Sequence, residues 1–272
     1  MIASSLTHIN APDEWHCIDF LADLHLQEQD ATWKGFMHYL QNSPADAIFL
    51  LGDILELWAG DDALHHPEHA FERLFVQTLR SISQTKTLYF MAGNRDFLIG
   101  KEFCRAAGLV YLNDPCVLQI PASEKTEEVP ETRILLSHGD ALCIADVQYI
   151  QFRQQVRNPA WQQGFLQQPL EQRLALARQL RQQSGQRKND LGVEGYADVD
   201  EPLAAQWLKD HQCTWLIHGH THKPQDHTLP DNMRRSVLSD WDLEEIARPR
   251  AEVLRLQRNQ KELRWDRIDY VS

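Results

Sequence analysis

Five short apolar runs in this chain end in the same narrow set of polar residues, and no other feature constrains the fold as strongly. "HCIDFLADLHL" delivers Asp23 and His25, and "DAIFLLGDILELW" delivers Asp53. "TLYFMAGNRD" delivers Asn94, Arg95 and Asp96, "RILLSHGD" delivers His138, and "TWLIHGHTH" delivers His218, His220 and His222. Each run has strand length and is rich in Ile, Leu, Phe or Tyr. Helix-like stretches at 30–42, 66–83 and 200–211 fall between several of them. Strands alternating with helices predict an α/β sheet. Ligands of such sheets gather beyond the carboxyl ends of the strands, where these five segments place Asp, Asn and His.

Two regions depart from the pattern. After residue 230, "RRSVLSDWD", "AEVLRLQR" and "ELRWDRIDY" read as short closing strands, expected to form a second sheet with "CVLQI" and "RILLS". Residues 146–199 are rich in Gln and Arg with helical spacing, and predict an inserted helical unit. Between Asp146 and Lys188 there are seven basic residues against two acids, a local balance of +5 in a chain whose formal net charge is −12. An acidic chain is a poor general ligand for nucleic acid, whose phosphates dominate binding. An anionic substrate therefore needs metal ions or a local basic patch. The 272 residues suffice for one large domain with an insertion. No run approaches the roughly 20 apolar residues of a membrane span, and no secretory signal is expected from the first residues. The odd cysteine count of five, without a C-x-x-C, predicts reduced, buried thiols.

Taken singly, D-x-H, GD and GN are ordinary turn words. Their order is specific. D-x-H, GD, GN, H and G-H-x-H, each after an apolar run, resemble the calcineurin-like phosphoesterase superfamily at all five blocks. That resemblance implies an αββα sandwich of two mixed β-sheets, here with a helical cap insertion at about 146–199 in a domain of residues 15–272 and an N-terminal extension at 1–14. It also implies a binuclear metal centre of two Mn²⁺ ions. Asp23, His25, Asp53 and His222 would hold one ion, and Asp53, Asn94, His138 and His220 the other, with Asp53 bridging. Carboxylate, amide and imidazole ligands suit such ions. His218, at the end of its run, is expected to be a packed or hydrogen-bonded histidine and not a ligand.

Most of the superfamily carries G-N-H-[DE], whose histidine can protonate a leaving group. Here the word is "GNRD". Arg95 stays charged and is a poor proton donor, but it matches phosphate oxygens. This favours a phosphate leaving group, which needs no proton, and hence a diphosphate substrate. The words "FLADLHL", "LGDILELWAGDD", "GNRDFLIGKEF", "LSHGDALCIADVQYIQFR" and "WLIHGHTHKP" resemble the UDP-2,3-diacylglucosamine hydrolase family of the lipid A pathway in Gram-negative bacteria. The resemblance implies attack at the α-phosphorus by a metal-held hydroxide, giving UMP and 2,3-diacylglucosamine 1-phosphate. The same resemblance implies catalytic roles for Asp53 and Arg95. It implies substrate contacts at Asn94, Arg95, Asp146, Ser184 and His220, with a further contact on Lys188 or Asn189. The lipid implies a cytoplasmic enzyme in transient contact with the inner membrane, with no nucleic acid and no obligate protein partner. Trp161, Phe165 and Leu166 are candidates to line an acyl-chain cleft. The alternatives are another phosphoesterase acting on a nucleotide or phosphodiester, and a non-catalytic scaffold of the same fold. A scaffold of this kind usually loses ligands, whereas here all seven ligand positions are intact.

Overall fold

The runs that open the pattern, "CIDFL" and "AIFLL", are buried at every position, the mark of strands covered on both faces. In a computed structural model that describes residues 6–122, 130–191, 197–259 and 261–271, with backbone alone for 183–191, strands and helices alternate along the first part of the chain. They are β1 (Thr7–Asn10), β2 (Cys17–Leu21), α1 (Ala31–Asn42), β3 (Ala47–Leu51), α2 (Ala70–Ile82), β4 (Thr87–Met91), α3 (Lys101–Ala107), β5 (Leu109–Leu112), β6 (Cys116–Ile120) and β7 (Thr132–Ser137). Then come α4 (Val147–Val156), α5 (Pro159–Leu166), α6 (Leu170–Leu191), α7 (Glu201–Asp210), β8 (Trp215–His218), β9 (Gln225–Thr228), β10 (Arg234–Val237), β11 (Glu252–Arg258) and β12 (Leu263–Asp269).

The strands form two six-stranded mixed sheets, ordered β12-β11-β2-β3-β4-β5 and β1-β6-β7-β8-β10-β9. Strand alternation makes the sandwich. Ile18, Phe20, Phe49 and Leu51 of the first sheet meet Leu118, Ile134, Leu136 and Ile217 of the second. The intervening Leu21, Ile48 and Leu50 face Trp33 and Phe36 of α1 and Phe75 of α2. On the far side, Val117, Leu135 and Leu216 pack under Ala204 and Leu208 of α7. The layers are therefore helix, sheet, sheet, helix.

Two expectations change. The closing strands divide between the sheets: β10 joins β8, while β11 pairs antiparallel with β2 and β12. The metal words accordingly arise from both sheets, following β2, β3 and β4 in one and β7 and β8 in the other. The segment read as an N-terminal extension contributes β1, which pairs in parallel with β6 from Thr7 to Asn10. Covering a sheet edge gives those residues a structural place that their polar composition does not announce. All five cysteines are free and buried.

Helices α4 to α6 lie over the loops at the carboxyl ends of the strands. Arg157 donates to the carbonyls of Ala92 and Gly93, at 3.0 and 2.8 Å. Arg153 pairs with Asp140 at 2.9 Å. Arg173, 1% exposed, reaches the Ala59 carbonyl and Asp62. No helix among the described residues is long and apolar enough to cross a membrane.

Candidate metal centre

The words end in strained backbone. Asp23, His25, Asp53, His220 and His222 all have φ between 48° and 69°, a left-handed conformation that ordinary side chains avoid. Clustered outliers of this kind mark functional sites. They turn each side chain back across the strand end, and neighbouring glycines make room. A Cβ on Gly93 would lie 2.1 Å from Asp53 Oδ1, one on Gly52 2.4 Å from His138 Nδ1, and one on Gly219 2.4 Å from Asp23 Oδ2. The glycines of GD, GN and GH are thus required by close approach to the ligands.

The structure brings Asp23, His25, Asp53, Asn94, His138, His220 and His222 together as two overlapping groups. Asp23, His25 and His222 offer converging atoms, as do Asp23, Asp53 and His138. His25 Nε2 and His222 Nε2 stand 3.4 Å apart, and His222 Nε2 is 3.5 Å from Asp23 Oδ1. Asn94 Oδ1 lies 3.1 Å from His138 Nε2 and 2.9 Å from His220 Nδ1. Asp53 Oδ1 lies 3.8 Å from His138 Nε2 and accepts from the Arg95 amide at 2.8 Å.

The donor set fits cations. The Leu51 carbonyl, 2.9 Å from His138 Nδ1, can only accept, so that nitrogen carries hydrogen. A neutral His138 then points a lone pair at the oxygen of Asn94. Two acceptors face each other unless a proton or a cation lies between. Burial alone would depress the His138 imidazole, but Asp53, Asp140 and Asp23 overcome it and push it up to about 9. Burial, with His138 close by, holds His220 down to about 4. Asp23 Oδ1 is buried and accepts no hydrogen bond among the described residues. Burial raises the Asp23 carboxyl, but His222 and its neighbours outweigh that and keep it well below the usual range. The outer nitrogens are held as metal-ligating imidazoles usually are: His25 Nδ1 is 3.0 Å from Glu56 and His222 Nδ1 is 3.5 Å from Asp240. His218 is fully buried with Nδ1 against the Gly219 carbonyl at 2.8 Å. Burial pushes it down to about 3, so it is a neutral packed residue.

The site opens into a cleft of about 370 Å³. One end is polar, lined by His25, Asp53, Asn94, Arg95, His220 and His222; the other is apolar, lined by Phe97, Phe152, Val156, Trp161, Phe165 and Leu180. Arg95 lies at the polar end, and its buried Nε has no hydrogen-bond partner among the described residues. Asp146 lines the same cleft and caps α4, accepting from the Tyr149 amide at 3.0 Å. Trp161 and Phe165 reach the cleft as expected. Leu166, one residue beyond Phe165 on α5, is 42% exposed and outside the lining. The side chains of Ser184, Lys188 and Asn189 lie outside the described residues.

Several residues of the site were given no role from sequence. Asp96 accepts from the amides of Gly93 and Ile54, at 2.7 and 2.8 Å, tying the GN word to the GD word. Asp140 receives Arg153 and the Tyr149 hydroxyl, the latter at 2.7 Å, fixing α4 beside His138. Glu56 and Asp240 hold imidazoles. Asp96 and Asp140 were signalled by their place two residues after a ligand. Nothing local to Asp240 signals its role.

A sequence profile described as calcineurin-like phosphoesterase matches residues 18–224, the span that contains every residue of the two ligand groups. The chain belongs to the calcineurin-like phosphoesterase family. Within that family it is similar to the UDP-2,3-diacylglucosamine hydrolase of Chromohalobacter salexigens, 42% identical over 81% of this chain and 87% of the relative. The protein of the same name from Marinobacter nauticus is 39% identical over 82% and 88%, and that from Pseudomonas aeruginosa 38% over 82% and 90%. A dimetal phosphatase from Danio rerio superposes with a TM-score of 0.50 at 12% identity, covering 94% of this chain and 96% of the other. This calcineurin-like phosphoesterase thus shares its sandwich with a structure of low sequence identity and about two fifths of its aligned residues with the named hydrolases.

Proposed function

We propose that the protein hydrolyses the diphosphate of UDP-2,3-diacylglucosamine, giving UMP and 2,3-diacylglucosamine 1-phosphate. The observation that carries this is the single cleft with two unlike ends. A diphosphate matches the histidine–carboxylate end with Arg95 beside it, and two acyl chains match the aromatic and aliphatic end under α4 to α6. The names of the relatives, at 38–42% identity over most of both chains, point the same way.

Asp23, His25, Asp53 and His222 are the residues to hold one divalent ion, and Asp53, Asn94, His138 and His220 the other. Mn²⁺ is the ion we favour, for its tolerance of mixed carboxylate, amide and imidazole ligands. When bound, such a pair polarises phosphoryl oxygens and lowers the pKa of water. The chain supplies the rest. Asp53 is the residue to bridge the two ions, and Asn94 stands between His138 and His220 of the second set. The Arg95 guanidinium, on the cleft wall, donates to the diphosphate and stabilises a leaving phosphate without giving up a proton. Asp146 lies on the cleft to receive a donor of the substrate. The apolar walls exclude water from the acyl chains. Leu166 and Leu176, exposed on α5 and α6, together with the basic excess of the insertion, favour transient contact with the cytoplasmic face of an inner membrane.

The test is incubation with Mn²⁺ and UDP-2,3-diacylglucosamine, with both products identified. Turnover to UMP and the lipid 1-phosphate, and little action on an aryl phosphodiester, is the expected result. Cleavage of the aryl diester at a comparable rate refutes the substrate assignment.

A further inference from the structure

Glu56 makes contacts that the ligand scheme leaves unused. It follows β3, is 9% exposed, and its two carboxylate oxygens face opposite ways. Oε2 lies 3.0 Å from His25 Nδ1. Oε1 lies 2.5 Å from Arg181 Nε of α6 and 3.9 Å from Arg95. We propose that Glu56 is a positioning residue that ties helix α6 to the metal ligand His25. The inference rests on the metal reading above.

Three observations support it. The Glu56 amide donates to the Leu26 carbonyl at 3.0 Å, and the His25 amide to the Asp53 carbonyl at 3.0 Å. The carboxylate is therefore registered against the loop that carries His25. With Nδ1 turned to Glu56, His25 presents Nε2 toward His222, the orientation an ion needs; carboxylates behind ligating imidazoles commonly do this. Finally, α6 docks at a second point on the loop after β3 that carries Glu56. Arg173 engages the Ala59 carbonyl and Asp62, and Gly60, with φ of 131°, leaves room where a Cβ would meet the Arg173 guanidinium at 2.2 Å. Arg173 and Arg181 are separated by about 12 Å of helix rise. Only the Arg181 contact shares an atom group with a ligand: the Glu56 carboxylate holds α6 through one oxygen and His25 through the other.

A purely structural ion pair would hold α6 without affecting one ion selectively. The test is therefore a Mn²⁺ titration of metal-stripped wild type, Glu56→Gln and Arg181→Gln, following free Mn²⁺ by electron paramagnetic resonance. Amide exchange of residues 170–182 is measured on the same preparations. Glu56→Gln is expected to weaken one of two Mn²⁺ sites by about 10- to 100-fold and leave the other within about threefold, with faster exchange in α6. Arg181→Gln is expected to speed α6 exchange and keep both sites within about threefold. Glu56→Asp keeps the charge one methylene short; it should recover part of the lost affinity, and it carries the test if Glu56→Gln does not fold. Wild type that fails to take up two ions refutes the metal reading and this inference with it. Wild type with two ions and Glu56→Gln with the same two affinities refutes this inference alone, as does equal weakening of both sites or unchanged α6 exchange.

Discussion

Gly93→Ala adds one methyl group at the most crowded point of the site. The new Cβ would stand 2.1 Å from Asp53 Oδ1, 2.4 Å from Asp53 N and 2.8 Å from Asp53 Cγ. Contacts below 3.0 Å force a shift of about an ångström, and the side that must move is not a flexible tip. The carboxylate is held by the Arg95 amide at 2.8 Å, and the Asp53 carbonyl accepts from His25 at 3.0 Å. Overpacking of this kind costs about 1–3 kcal/mol. With an unfolding entropy of roughly 2.1 cal/mol/K per residue, a chain of this length loses about 2 °C per kcal/mol, so the melting temperature should fall by roughly 2–5 °C. Function should suffer more than stability, because an ångström of misplacement can cost about 10²-fold and Asp53 is the ligand proposed to bridge the two ions. Gly164→Ala is the matched control. Nothing lies within 4 Å of its added Cβ, in the interior of α5, so it should stabilise by about 0.5–1 kcal/mol. Metal per chain by mass spectrometry at limiting Mn²⁺, calorimetry and turnover measure all three quantities. Gly93→Ala with two ions at wild-type affinity and turnover within threefold refutes the reasoning that GN is spelled with glycine to let Asp53 approach.

Arg95→His should lower diphosphate cleavage by about 10²-fold or more while two ions remain bound; near wild-type turnover means the arginine does not mark the leaving group. Asp19→Ala should unfold more readily by about 3–5 kcal/mol, because it strips the partner from Arg255, bonded to Asp19 at 2.7 and 2.8 Å behind β2. Activity per folded molecule should be unchanged, and a loss of it in a calorimetrically folded sample refutes the view that this network is structural. Burial pushes the Cys104 thiol up to about 12. The folded state therefore keeps a proton that the unfolded chain releases near pH 8.5, and this contribution is full below that pH and is lost as pH rises toward about 12. Denaturation of wild type and Cys104→Ala at pH 8 and 10 should show a shallower decline in the variant; parallel declines refute it.

The legible part of the site was its contiguous words. Asp23, His25, Asn94, His220 and His222 sit one or a few residues past an apolar run, where a strand end has little choice but to present them. The sandwich followed from the same runs through the family resemblance. What could not be read depends on which strands become neighbours. β11 and β12 read as strands just as β10 does, and nothing in that pattern states that β11 joins β2 and carries β12 with it while β10 joins β8. Asp240 reaches His222 only because the chain after β10 bends back over the loop of β8. Glu56 stood inside a quoted word, yet its partners come from 31 residues earlier, at His25, and from the insertion at Arg181. Leu166 shows the same limit at small scale, since helical spacing tells that a face is apolar but not which neighbour turns outward.

The left-handed backbone at Asp23, His25, Asp53, His220 and His222 sets selection for stability against selection for activity. A left-handed L-residue costs about 1–2 kcal/mol, of which glycine would recover a part against its own entropic penalty of about 0.5–1 kcal/mol. Replacing Asp23 or Asp53 also removes one of two facing buried acids. A library of this gene screened only for heat resistance in the absence of metal should therefore enrich glycine and asparagine at these very positions and drift toward inactive proteins. A lineage released from its reaction would take the same path, and loss of its ligands would make the fold firmer. The five strained residues are held in place by use, and a screen for improved variants must keep metal present and read turnover at every round.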